Sequence, residues 1–122
     1  MNNWWLVFVG GGIGSMVRLA FSKMIPWTGQ GFPWATFWAN MLACVVMGLG
    51  WAFLSRRPEL PESWKILILT GFCGGFSTFS TFSLESLRLI QQGEWLMALS
   101  YVLASVLICF AALALAVRAG MM

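Results

Sequence analysis

The chain contains no histidine and no aspartate. Nucleophile–base pairs depend on such partners, and only four carboxylates remain, Glu59, Glu62, Glu85 and Glu94. The first two fall in a loop and Glu94 at the edge of an apolar run, so enzymatic hydrolysis is close to excluded. Cysteine is scarce as well. Cys44, Cys73 and Cys109 are odd in number and each lies within an apolar run, so neither a disulfide framework nor a zinc site is expected. Charge is the third shortage. Only 9% of the 122 residues are charged, against about 25% in a soluble domain. Lys and Arg outnumber acids seven to four, but they are scattered along the ends of the apolar runs. That is no nucleic-acid patch, and no nucleic-acid partner is expected.

What fills the chain instead is hydrophobic sequence, 60% of it. The runs are roughly 20 residues long, the length needed to cross a bilayer. Four spans are expected within one all-α membrane domain covering residues 1–122. They run from about Trp4 to Met24, Trp34 to Leu54, Trp64 to Ile90 and Trp95 to Val117. Tryptophan opens each, as an interfacial aromatic belt requires. Short links rich in Pro and Gly separate them, leaving no loop that could fold by itself. The N-terminus lacks the basic region of a secretory signal and is expected to be retained. Arg56, Arg57, Lys65 and Arg118 fall on the side of the termini, and Lys23 and Arg88 on the other. Such a slight bias leans towards cytoplasmic termini and is compatible with insertion both ways.

The third span carries the densest signal, Gly71-Phe72-Cys73-Gly74-Gly75-Phe76-Ser77-Thr78-Phe79-Ser80-Thr81-Phe82-Ser83. Glycines and hydroxyls here predict a helix broken at mid-membrane. Irregular backbone at that depth survives only where protein or a wet path surrounds it. A helix restarting after the break would turn free N–H groups towards an anion, and the released carbonyls would suit a cation. Phe79 and Phe82 stand among hydroxyls with their positive ring edges available. A row of phenylalanines at this spacing is also what plain packing produces.

Other polar residues within the spans have two roles open to them. Arg18 lies about 21 Å along the first span, either facing a partner or a wet vestibule, or snorkelling to the interface. Glu85 is either a gate, hydrogen-bonded to Ser80 or Thr36, or a local partner of Arg88. Asn40 is either glue between helices or an amide donor lining an anion path. Tyr101, Ser105 and Cys109 form a polar stripe on the fourth span, one turn apart. Gly10-Gly11-Gly12-Ile13-Gly14 departs from a nucleotide-binding fingerprint, and Gly10 and Gly14 fit close helix packing instead.

The third-span motif closely resembles the signature of the Fluc (CrcB) fluoride channels. Gly11-Gly12-x-Gly14-Ser15-x-x-Arg18 resembles that family's first-span motif, and Asn40 stands where its second-span asparagine is expected. The resemblance implies an antiparallel, dual-topology homodimer in the bacterial inner membrane that passively exports cytoplasmic fluoride through two pores. It implies fluoride contacts from Asn40, Phe79, Phe82, Tyr101 and Ser105, with Cys109 where some members carry another hydroxyl. It implies a vestibule group of Thr36, Ser80 and Glu85, with Arg18 as the vestibule arginine. It also implies a central sodium ion held by the carbonyls of Gly74 and Ser77, two from each subunit. Phe76 departs from the smaller residue or leucine expected at its position.

Two rival classes share the size. A small multidrug-type exporter would need a carboxylate deep in the first span, which instead holds Arg18. A non-transporting assembly subunit would account for the packing glycines but not for the Phe-Ser-Thr repeat.

Overall fold

The computed structural model describes residues 3–122, whose regular elements are all helices. Helix α1 spans Asn3–Met24 and α2 spans Trp34–Ser55. The third span, Glu62–Gln91, is composite. It opens with α3 (Glu62–Lys65), widens into a π-helical stretch over Ile66–Cys73, and returns to α geometry as α4 (Gly74–Phe76). Ser77 and Thr78 are extended, and α5 (Phe79–Gln91) begins immediately after them. Helix α6 covers Trp95–Gly120. Among the described residues, four helical segments are long and apolar enough to cross a membrane, with bounds within three residues of those expected. Proline at 33 and 61 stands just before α2 and α3, where a missing N–H costs nothing. Gly93, at φ 81°, makes the turn between α5 and α6.

Small residues set the packing. Helix α1 lies against the first half of the third span, and α2 against α6. A Cβ on Gly10 would collide with the Leu67 carbonyl, and one on Gly14 would collide with the Phe72 carbonyl and stand 2.7 Å from the Phe76 nitrogen. Gly75 meets the Gly11 carbonyl in the same way from the opposite helix. The glycine run in α1 is therefore a packing surface that lets two backbones touch. On the other side of the molecule, a Cβ on Gly48 would stand 2.6 Å from that of Ala116.

Phe76 owes its accommodation to a similar economy. It is buried against Ala39 and Ala43, two alanines one turn apart on α2, with Phe21 and Phe72 closing round it at ring separations of 5.5 and 5.4 Å. A second cluster joins Phe37, Phe82, Leu89, Ala98 and Tyr101. Much apolar side-chain surface faces outward, including that of all the tryptophans that open the spans. In water such exposure would be unstable, whereas lipid or another subunit accepts it.

Candidate functional site

Where α4 ends, the helical hydrogen-bond ladder is diverted into side chains. The Thr78 N–H would close the next turn on the Gly74 carbonyl. It donates instead to Asn40 Oδ1 at 2.7 Å, while Asn40 Nδ2 donates back to the Thr78 carbonyl at 3.3 Å. Asn40 thus holds one residue of the extended pair by both of its backbone groups. Thr78 then caps α5, its Oγ1 accepting from the Thr81 N–H at 3.2 Å. That N–H is in turn the one a continuous helix would have given to the Ser77 carbonyl.

Two other carbonyls near the break are answered by polar side chains. The Gly75 carbonyl accepts from Arg18 Nε at 3.2 Å and Ser15 Oγ at 3.5 Å. The Cys73 carbonyl accepts from both the backbone N–H and the hydroxyl of Ser77, at 3.0 and 2.8 Å. The carbonyls of Gly74 and Ser77 have lost their helical donors to Asn40 and Thr78, leaving them as acceptors that suit a hard cation. Gly74 is exposed, and a Cβ there would meet nothing within 4 Å. The residues present therefore fit an oxygen-ligated ion.

Beside the break lies an open groove of about 250 Å³, lined by Asn40 and Cys44 of α2, Ser77 and Thr78, Phe79 and Phe82 of α5, and Ser105, Val106 and Cys109 of α6. It brings together four residues expected to contact fluoride: Asn40, Phe79, Phe82 and Ser105. The two rings are 5.8 Å apart, yet their surroundings differ sharply. Phe79 is 78% exposed and Phe82 only 9%. Ser105 Oγ is buried without a hydrogen-bond partner. Such an orphan normally costs about 1–3 kcal/mol, so its place in the groove wall marks a position where a ligand is wanted.

Tyr101 is placed differently from the expectation. Its side chain is fully buried behind Phe82, at a ring separation of 5.0 Å, and its hydroxyl donates to Glu85 Oε1 at 2.7 Å. Thr36 Oγ1 donates to the other carboxylate oxygen at 2.9 Å. The Glu85 group is therefore Thr36–Glu85–Tyr101. Ser80 is no part of it, because its hydroxyl faces Thr78 Oγ1 at 3.3 Å, on the side of the helix start. The helical period accounts for Ser80, since Ser80 and Glu85 are five residues apart and lie on different faces of α5. Arg88 makes no close ion pair with Glu85, although its charge acts on the carboxylate. Its guanidinium sits over the Trp27 ring at 5.5 Å, and the single ion pair among the described residues joins Arg57 to Glu59 at 3.9 Å. Arg18 meets a protein partner, the Gly75 carbonyl, rather than reaching outward past it.

Cys44, Thr78 and Val106 line the groove without having been singled out as site residues. Thr78 was the most detectable, since a threonine three residues before Thr81 and directly before an apolar helix is a capping signal. Cys44 stands one turn after Asn40 on the same face of α2, so helical spacing alone could have found it.

A family model described as "CrcB-like protein, Camphor Resistance (CrcB)" matches residues 5–117. A protein of Magnetococcus marinus named "Fluoride-specific ion channel FluC" is 44% identical over 115 residues, covering 93% of this chain and 94% of the relative. Proteins of the same name from Escherichia fergusonii and Salmonella arizonae are 44% identical over 110 residues, covering 90% of this chain and 87% of each relative.

Proposed function

The chain belongs to the CrcB-like family, and from that premise we propose that it is a fluoride channel, letting the ion leave the cytoplasm passively. It is not an enzyme. Fluoride holds its water tightly, and an unpaired ion in an apolar medium is very costly, so a path must replace the lost shell with donors. The observation that carries this reading is the groove, where an amide, an orphan hydroxyl and two aromatic rings converge at a helix break. Asn40 spends one amide hydrogen on Thr78, and the second is available to an anion. Ser105 supplies a hydroxyl, and Phe79 and Phe82 supply positively polarised ring edges.

The Thr36–Glu85–Tyr101 group acts beside this path. Glu85 holds the Tyr101 ring against Phe82, and thereby fixes the orientation of the more buried of the two rings. Arg18 acts as a vestibule arginine while bracing the Gly75 carbonyl. The break itself is the mid-membrane discontinuity of the third span, and Asn40 keeps it open.

The working unit is an antiparallel, dual-topology homodimer in the bacterial inner membrane, with two pores. Three features support this. The groove is open along one side, the outward surface is largely apolar, and the charge bias between the two membrane faces is slight. A sodium ion on the dimer axis would be held by the carbonyls of Gly74 and Ser77, supplied by both subunits. When bound, it provides a fixed positive charge that ties the two breaks together. Asn40 and Thr78 serve that site by withholding the N–H groups that would otherwise occupy the carbonyls.

Efflux from proteoliposomes compares fluoride with chloride under identical loading. Rapid loss of fluoride with retention of chloride is expected. Equal rates for the two anions, or no fluoride loss from folded protein, would overturn the proposal.

A further inference from the structure

Cys44 and Cys109 project into the groove from α2 and α6, which pack along their length. Both thiols are free and partly accessible, and both line the same groove. Cys73, the third cysteine, is buried and does not line the groove. Ser105, one turn before Cys109, points a buried hydroxyl with no partner into the same groove. Paired thiols on two rigid helices, facing an open space, are a ligand set for soft metals. Hard divalent ions prefer oxygen, and tetrahedral zinc needs more ligands than two. Closed-shell monovalent ions such as silver(I) and copper(I) are satisfied by two sulfurs in a line.

We propose that Cys44 and Cys109 form a binding site for one soft monovalent cation, of the silver(I) or copper(I) class, and that its occupancy obstructs the groove. As the first metal–sulfur bond forms, one thiol releases its proton to solvent. The second sulfur binds as a neutral thiol. The product is an uncharged thiolate–metal–thiol centre, and loss of a second proton would leave a net negative charge where water is scarce. Obstruction follows because the ion would occupy the groove that Asn40 and Ser105 also line, one turn beyond them and within the path assigned to fluoride. That half of the proposal rests on the channel function argued above, whereas binding itself does not.

Silver nitrate added to purified protein in chloride-free buffer tests both halves. Free methionine is included to suppress thioether sites. Wild type and Cys73→Ser should retain one silver ion per subunit by elemental analysis. Cys44→Ser and Cys109→Ser should bind it roughly a hundredfold more weakly, the loss expected when a chelate becomes a single ligand. Serine keeps the size of the side chain, and unchanged elution as a folded oligomer confirms that each variant is intact. In proteoliposomes, silver should stop wild-type fluoride efflux, and a soluble dithiol should restore it. Equally tight silver binding after either groove substitution, or loss of binding in Cys73→Ser, would overturn the site. Full efflux with silver bound would overturn the obstruction. Wild type that passes no fluoride at all would defeat the channel reading, while the silver stoichiometry still decides the site.

Discussion

Replacing Phe79 or Phe82 by isoleucine separates ion contact from packing, because the two rings sit in such different surroundings. Isoleucine keeps an apolar side chain but removes the positive ring edge. Phe82 is 9% exposed and packs at a tilt against the Tyr101 ring, 5.0 Å between centroids. Its replacement should cost about 1–3 kcal/mol through imperfect repacking and the lost aromatic pair. Phe79 is 78% exposed, so its replacement should change subunit stability by no more than about 0.5 kcal/mol. If the rings only pack, function should follow stability, with Phe82→Ile impaired and Phe79→Ile near wild type. If both contact fluoride, Phe79→Ile should lose efflux almost as completely as Phe82→Ile despite its small structural cost. Thermal unfolding in detergent and fluoride-electrode efflux from proteoliposomes supply the two axes. Wild-type efflux through well-folded Phe79→Ile would refute the assignment of that ring to the path.

Gly14→Ala should destabilise the subunit by at least 1–3 kcal/mol (an order-of-magnitude range for overpacking), since its methyl would be driven into the backbone at Phe72 and Phe76. A melting temperature equal to that of wild type would contradict the close contact. Ser77→Ala should leave bound sodium in place, because only a hydroxyl bond to the Cys73 carbonyl is lost. Asn40→Ala should weaken sodium binding by freeing the Thr78 N–H to return to the Gly74 carbonyl. Sodium titration of both variants checks this pair, and the opposite order of effects would refute carbonyl ligation. A single cysteine added at the C-terminus should react with impermeant maleimide from both sides of the membrane. Labelling from one side only, in active protein, would end the dual-topology account.

Much of the architecture was legible because the bilayer leaves few options. Four apolar runs with tryptophan at their starts could hardly be anything but four spanning helices, and Gly10 and Gly14 announced close packing by their spacing. The π-helical stretch over Ile66–Cys73 was not legible, since Ile-Leu-Ile-Leu is equally at home in an ordinary helix. At the site, the polar residues were found, and so was the Thr36–Glu85 bond, but the remaining partners were not. Tyr101 and Ser105 share a face of α6, yet α5 crosses so that Glu85 captures the tyrosine and leaves the serine to the groove. Ser80 was grouped with Glu85 by proximity in sequence, whereas the start of α5 claims its hydroxyl. Phe76 looked oversized in sequence because the alanines that receive it, Ala39 and Ala43, lie on another helix. Such pairings depend on how helices cross, which no single segment encodes.

Passive conduction is the central claim, and fluoride efflux from liposomes with equal pH inside and out tests it most directly. With potassium fluoride inside, valinomycin supplies a path for the counter-ion. A channel should then release fluoride as soon as valinomycin is added, at a rate unchanged when a pH gradient of either sign is imposed. Efflux that waits for a proton gradient, or that proceeds unchanged without valinomycin, would contradict the account.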